Sequence, residues 1–154
     1  MVIVPTLLTR VGQVHALLDH LAVRALGNDD ARIHFAILSD FTDAPAAEMP
    51  DDPQILAAAR EGIEELNARY GQGRSDRFYL FHRARRWNPI ENCWMGWERK
   101  RGKIEEFNRL LLGATDTSYC LQIGDLSILP KIRYCIALDA DTRLPRDYAR
   151  QLIG

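Results

Sequence analysis

The stretch "RIHFAILSD", residues 32–40, decides how this chain is read. It starts with polar residues, turns continuously apolar over 35–38, and ends in Ser39 and Asp40. A strand with one wet face alternates apolar and polar side chains, whereas a strand covered on both faces can run apolar throughout. The stretch therefore predicts an inner strand of a parallel sheet, with its acidic end at one edge. Its neighbours support that reading. Upstream, Val11, Val14, Leu18, Leu21 and Ala25 recur at helical spacing with Leu17 beside them, and Gly27-Asn28 stops the pattern. Before that helix, "VIVP" (2–5) is a short β-branched run closed by proline.

Downstream, "TDAPAAEMPDDP" (42–53) carries three prolines and predicts a loop. Ile55, Ala59, Ile63 and Leu66 form the stripe of a second helix that ends near residues 71–73. "RFYLFHR" (77–83) predicts a third strand, and an irregular stretch with three tryptophans fills 84–98. Ile104, Phe107 and Leu111, with Leu110 adjacent, mark a third helix ending at Gly113, and 114–132 reads mostly as loop. "YCIALD" (134–139) predicts a fourth strand, and Tyr148 and Leu152 the start of a fourth helix. The order is β-α-β-α-β-α-β. That alternation implies an α/β, three-layer, mostly parallel, Rossmann-like sheet with right-handed crossovers. Ligands in such sheets bind at the carboxyl ends of the strands. Pro5 and Thr6, Asp40, the segment 82–86, and Asp139 with Asp141 all fall there.

At 154 residues the chain is one domain's worth, and 47% apolar with 27% charged residues is ordinary for a globular protein. A net charge of −1 gives no global pointer to nucleic acid or an acidic membrane surface. Three cysteines without a C-x-x-C pair argue against a disulfide framework or a zinc knuckle. No apolar run approaches a membrane span. A strand that begins at residue 2, and an equally abrupt end, suggest a piece of a longer chain. No glycine-rich dinucleotide loop follows the first strand, where "PTLLTR" stands instead. A Walker A lysine loop and a G-x-S-x-G elbow are also missing.

The acids of "IALDADTRLP" (136–145) are the strongest chemical element. In an extended segment, side chains two apart point the same way. Asp139 and Asp141 would then offer hard oxygens to Mg2+ or Mn2+, and such a metal holds a diphosphate leaving group. A polar turn is the alternative, and both readings stay open on these residues alone. Asp40 and Asp43 in "LSDFTDAP" suit ribose hydroxyls or base nitrogens, or else a turn before proline. "RKRGKIEEFNRLL" (99–111) opens a helix with Arg99, Lys100, Arg101 and Lys103. Cations oppose the macrodipole at that end, and a bound diphosphate would relieve the conflict. A solvated basic turn is the plain alternative. Arg83, Arg85 and Arg86 add charge after the third strand, beside Trp87, Trp94 and Trp97. Those aromatic rings suit stacking on sugar or on single-stranded nucleic acid, or simply pack the loop.

Taken together, "VPTLLT", "LSDFTDAP", "FHRARRWNP", "CWMGWERKRGK" and "LDADTRLP" resemble the glycosyltransferase region of bacterial cyclic β-1,2-glucan synthases over nearly the whole chain. More broadly the chain resembles the inverting GT-A glycosyltransferases that include cellulose synthase. In that family, the resemblance implies, Asp141 contacts the metal, and Asp139 and Asp40 lie near the nucleotide. Lys103 and Asn108 would line the donor pocket. Pro5, Thr6, Asp43, Arg99 and Arg101 complete the expected nucleotide-sugar site. The resemblance further implies UDP-glucose as donor, a β-1,2-glucan as acceptor, Mg2+ or Mn2+ as cofactor, and a base outside this chain. The parent would be a large bacterial inner-membrane protein with this region on the cytoplasmic side. This chain would then be a soluble N-terminal nucleotide-sugar-binding half (1–154), inactive alone, that binds no nucleic acid and is able to pair as a homodimer through an open sheet edge. Two other readings remain: a nucleotidyltransferase, which wants a glycine-rich loop after the first strand, and a non-catalytic sugar- or nucleic-acid-binding module built on the Trp/Arg stretch.

Overall fold

A computed structural model describes residues 1–154. The elements in chain order are β1 (Val2–Leu8), α1 (Val11–Gly27), β2 (Phe35–Phe41), α2 (Asp52–Tyr70), β3 (Phe78–Arg83), β4 (Arg86–Asn88), β5 (Cys93–Met95), α3 (Arg99–Leu111), β6 (Tyr119–Ile123), β7 (Ile136–Ala137) and α4 (Tyr148–Ile153). A 3-10 segment covers Leu126–Lys131. The main sheet has the strand order β6-β3-β2-β1-β7, while β4 and β5 form a separate hairpin. Strands β1, β2, β3 and β7 run parallel, and β6 runs antiparallel at the β3 edge.

The apolar run of β2 is buried along its full length because the sheet is covered on both faces. Period-2 alternation divides it between two cores. Phe35, Ile37 and Phe41 face α1 and α2, packed among Val14, Leu18, Leu21, Ile55 and Ile63. Ala36 and Leu38 face α3, packed with Tyr79, Phe81 and Phe107. Phe107 anchors α3, its ring 5.0 Å from that of Phe81. Burying such a side chain contributes about 1.5–3 kcal/mol.

The three-layer, mostly parallel arrangement matches the expectation from sequence, with corrections to the element order. An antiparallel strand, β6, lies in the stretch expected to be mostly loop. The tryptophan-rich stretch contains the β4–β5 hairpin, in which Trp87 pairs directly with Trp94. The fourth parallel strand, β7, has only two ladder residues. Its Ile136 and Leu138 N–H groups bond to the carbonyls of Met1 and Ile3, both at 2.9 Å. Beyond it the chain does not stay extended: the Thr142 N–H donates to the Asp139 carbonyl at 3.0 Å, closing a turn. No helix is long and apolar enough to cross a membrane.

Candidate functional site

The carboxyl ends of β1 and β2 and the amino end of α3 enclose a cleft of about 560 Å3. Its lining includes Pro5, Thr6, Asp40, Asp43, Arg99 and Lys103, all anticipated from sequence, together with Leu7, Gly96 and Lys100. A hollow of about 630 Å3 lies at the opposite sheet edge, near Met1, His34 and Arg150. It is larger, but it sits at the amino ends of the strands, away from the loops that carry chemistry in parallel sheets.

Beneath the cleft is a buried ionic cluster. Alternation puts Asp40 on the α3 side of β2, after Ala36 and Leu38, and Arg83 on the same side of β3, after Tyr79 and Phe81. The parallel register pairs Ser39 with His82, so the two charges stand side by side. The Arg83 Nε donates to Asp40 Oδ1 at 2.7 Å and its Nη2 to Oδ2 at 2.9 Å. Its Nη1 donates to Glu106 Oε2 at 2.7 Å. Glu106 also accepts from the Ser118 N–H at 2.8 Å and hydroxyl at 2.5 Å. Lys103 Nζ lies 3.1 Å from Asp40 Oδ2 and donates to the Thr6 carbonyl at 2.5 Å.

Burial lowers the Lys103 pKa, against the opposing pull of Asp40. Burial also works against the charge on Glu106, but the bonds from Ser118 and Arg83 outweigh it and hold the carboxyl below its ordinary range. Both Asp40 oxygens are therefore engaged inside the protein.

The cleft rim is also ion-paired. Arg99 Nη2 bonds to Asp43 at 2.8 Å and to Glu91 at 2.5 Å. Lys100 pairs with Asp139, which brings the first acid of the D-x-D to the cleft mouth. Asp43, Glu91 and Cys93 bring one ligand atom each within 4.8 Å of one another, but Arg99 already bridges the two carboxylates.

The turn at Asp139 changes the geometry expected for the acids. Strand alternation does not place them side by side, because Ala140 and Asp141 lie in the turn. Arg24 of α1 shapes it from below. Arg24 is 5% exposed, and its guanidinium donates to the carbonyls of Asp139, Ala140 and Thr142 at 3.3, 2.6 and 2.7 Å. Asp141 is exposed, near enough to Arg24 to raise the guanidinium's pKa, though burial outweighs it and keeps that pKa low. Arg101 and Asn108 are exposed on α3 and do not line the cleft.

Arg83 belongs to β3 rather than to the loop after it, and Arg85 is also buried. Arg85 bonds to Asp52 and to the Thr42 and Ala47 carbonyls, tying down the proline-rich loop. Trp87 and Trp97 remain about half exposed on the Trp stretch. The sequence carries no sign of Arg24, and it offers Lys100 and Arg83 only as basic charge at the helix start and after the third strand, without a place in the nucleotide-sugar site. The available signal was an arginine closing an apolar strand next to one that closes in aspartate.

No family model matches the sequence. Over 155 residues the chain is 42% identical to the cyclic beta-(1,2)-glucan synthase NdvB of Rhizobium meliloti (strain 1021). The match takes in all of this chain and 5% of that protein's length. Identity at that level along the entire chain shows common descent, and the chain is a homologue of one short region of a cyclic beta-(1,2)-glucan synthase.

Proposed function

We propose that this chain is the nucleotide-sugar-binding part of a GT-A glycosyltransferase region that passes glucose from UDP-glucose to a growing β-1,2-glucan with inversion. The observation that carries this reading is the cleft itself. It gathers Pro5, Thr6, Asp40, Asp43, Arg99 and Lys103 at the carboxyl edge of a parallel sheet, with Asp139 linked to its mouth through Lys100. Arg99 and Lys100 at the start of α3 face a space suited to a diphosphate. Arg99 and Lys100 stand ready to exchange their carboxylate partners for phosphate oxygens. Lys103, held between Asp40 and the Thr6 carbonyl, fixes the floor of the pocket.

The exposed carboxylates of Asp139 and Asp141 are hard oxygen donors of the kind Mg2+ or Mn2+ takes, and Asp139 would exchange its Lys100 partner for the ion. Bound there, the ion would neutralise charge on the departing UDP. The proton of the acceptor hydroxyl needs a positioned base, and none is assigned among these residues. In this reading the parent protein is membrane-bound, with this region on the cytoplasmic side.

Titration calorimetry of UDP in the presence of MnCl2 tests the assignment. Asp139→Ala and Asp141→Ala are each expected to weaken metal-dependent UDP binding at least tenfold, about 1.4 kcal/mol, with circular dichroism and unfolding midpoint unchanged. Undiminished affinity in both variants would overturn the metal assignment. Absence of UDP binding by the unaltered chain would overturn the donor reading.

A further inference from the structure

The first turn of α3 is built against its own backbone preference. Glu98 and Arg99 both adopt left-handed conformations, with φ of 50° and 48°. Non-glycine residues reach that region at a cost of order 1 kcal/mol each, and two in succession need something to hold them. No side chain caps this helix.

The holding group comes from another element. Arg83, fully buried at the end of β3, donates to the Trp97 carbonyl through Nη1 and to the Arg99 carbonyl through Nη2, both at 3.0 Å. Those carbonyls flank the strained pair. The same guanidinium is pinned to β2 by Asp40 and to the body of α3 by Glu106. Gly96 lets the chain pass close by: a methyl group there would lie 2.5 Å from the Asp40 carboxylate and 2.9 Å from Arg83.

We propose that Arg83 is the positioning residue of the cleft, a clamp that fixes the left-handed entry to α3 so that Arg99 and Lys100 converge on one diphosphate above Lys103. This rests on the donor reading given above. Arg83 does not line the cleft and needs no contact with ligand. Its second effect is on charge. Arg83 and Lys103 together balance Asp40 and Glu106, so the buried cluster is neutral and the rim cations set the field that an anion meets. Without Arg83, the buried cluster beneath an anion site carries net negative charge. A lysine in its place restores the charge but cannot span two carboxylates and two carbonyls at once.

The test uses two variants and two measurements on this chain. Arg83→Lys preserves charge and removes the fork. Glu106→Gln, at a residue outside the cleft lining, loosens one arm of the clamp while keeping its shape. Amide hydrogen exchange without ligand is expected to speed at least tenfold over residues 97–102 in Arg83→Lys and about threefold in Glu106→Gln, with β1 and β2 unchanged. UDP affinity with MnCl2, measured where circular dichroism shows the variant fully folded, is expected to fall in Arg83→Lys, which keeps the charge; Glu106→Gln adds net positive charge beneath the site and is read by exchange alone. Uniform acceleration across all strands would mean a purely structural role and would overturn the proposal. So would unchanged exchange at 97–102, or unchanged UDP affinity alongside loosened exchange. If Arg83→Lys does not fold, Glu106→Gln decides by the exchange pattern at 97–102. If the unaltered chain binds no UDP, the donor reading fails on that result, and the clamp then stands or falls on the exchange pattern alone.

Discussion

Lowering the pH from 7 to 5 is expected to cost this fold roughly 2 kcal/mol through His82 alone. His82 is 1% exposed on the α1–α2 side of β3, its ring 4.3 Å from that of Phe41. The Ser39 hydroxyl meets Nδ1 at 2.8 Å, while Nε2 is buried with no partner. Burial pushes the imidazole pKa down from 6.5 to about 4. Asp40 and Asp52 oppose that shift, and Lys103 and Arg85 reinforce it.

The unfolded chain therefore binds the proton near pH 6.5 and the folded chain does not. Stability is intact above the unfolded pKa, declines as pH falls through the interval, and stops falling from this source below about 4. The full interval is worth about 3 kcal/mol. Burial lowers His34 as well, so it adds a smaller loss of the same sign. Urea unfolding at pH 7 and pH 5 checks the expectation. The chain should lose at least about 2 kcal/mol between them, and His82→Phe should lose much less. An equal loss in both would show that His82 does not carry the acid sensitivity.

Asp40→Ala should lower stability at pH 7 by about 3–5 kcal/mol, the range for breaking a buried pair from one side. Two cations then lose their shared carboxylate: Arg83, fully buried, and Lys103, 2% exposed. The cluster's net worth against an apolar replacement is a separate quantity and can be small. A double-mutant cycle separates the two. Asp40→Ala combined with Arg83→Met should cost clearly less than the sum of the single changes, because each removes the charge that the other leaves stranded. Additive costs in denaturant unfolding would mean that the pair is not coupled.

The legible part of the fold was the part with a strong period. Val14, Leu18, Leu21 and Ala25, and Ile55, Ala59, Ile63 and Leu66, are all buried, because each stripe needs only one apolar wall to face. The run at 35–38 was legible because two walls meet on it. Strand β6 was not: it is short and antiparallel at the sheet edge, and only partly covered, so it shows no such run. The end of β7 was over-extended for a tertiary reason. Arg24, from α1, gathers three carbonyls that a strand would have sent sideways.

The site divides in the same way. Asp40, near the end of β2, follows from topology alone; Thr6 does so too, although β1 continues through Pro5 to Leu8 instead of closing at the proline. Arg101 and Asn108 were assigned along α3 from spacing and resemblance, yet the helix turns them away from the cleft. Arg83 looked like loop charge because its partners come from β2, α3 and the backbone before α3. No local pattern carries that information, although the register of β2 and β3 would have put it beside Asp40.

The pairing of β7 with β1 joins the two most distant parts of the chain through a pair of ladder hydrogen bonds. Closing so long a loop costs entropy that is recovered only once β1 already has its place beside β2. During folding, the turn that bears Asp139 and Asp141 is thus among the last pieces to dock. Once docked it is held from below by the carbonyl bonds of Arg24, so its departure would also strand a buried guanidinium. The ionic cluster under α3 draws instead on β2, β3 and α3, which pack as neighbours. The cleft joins a floor set by neighbouring strands to a lip set by contacts between the two ends of the chain, and a ligand held at that lip depends on both.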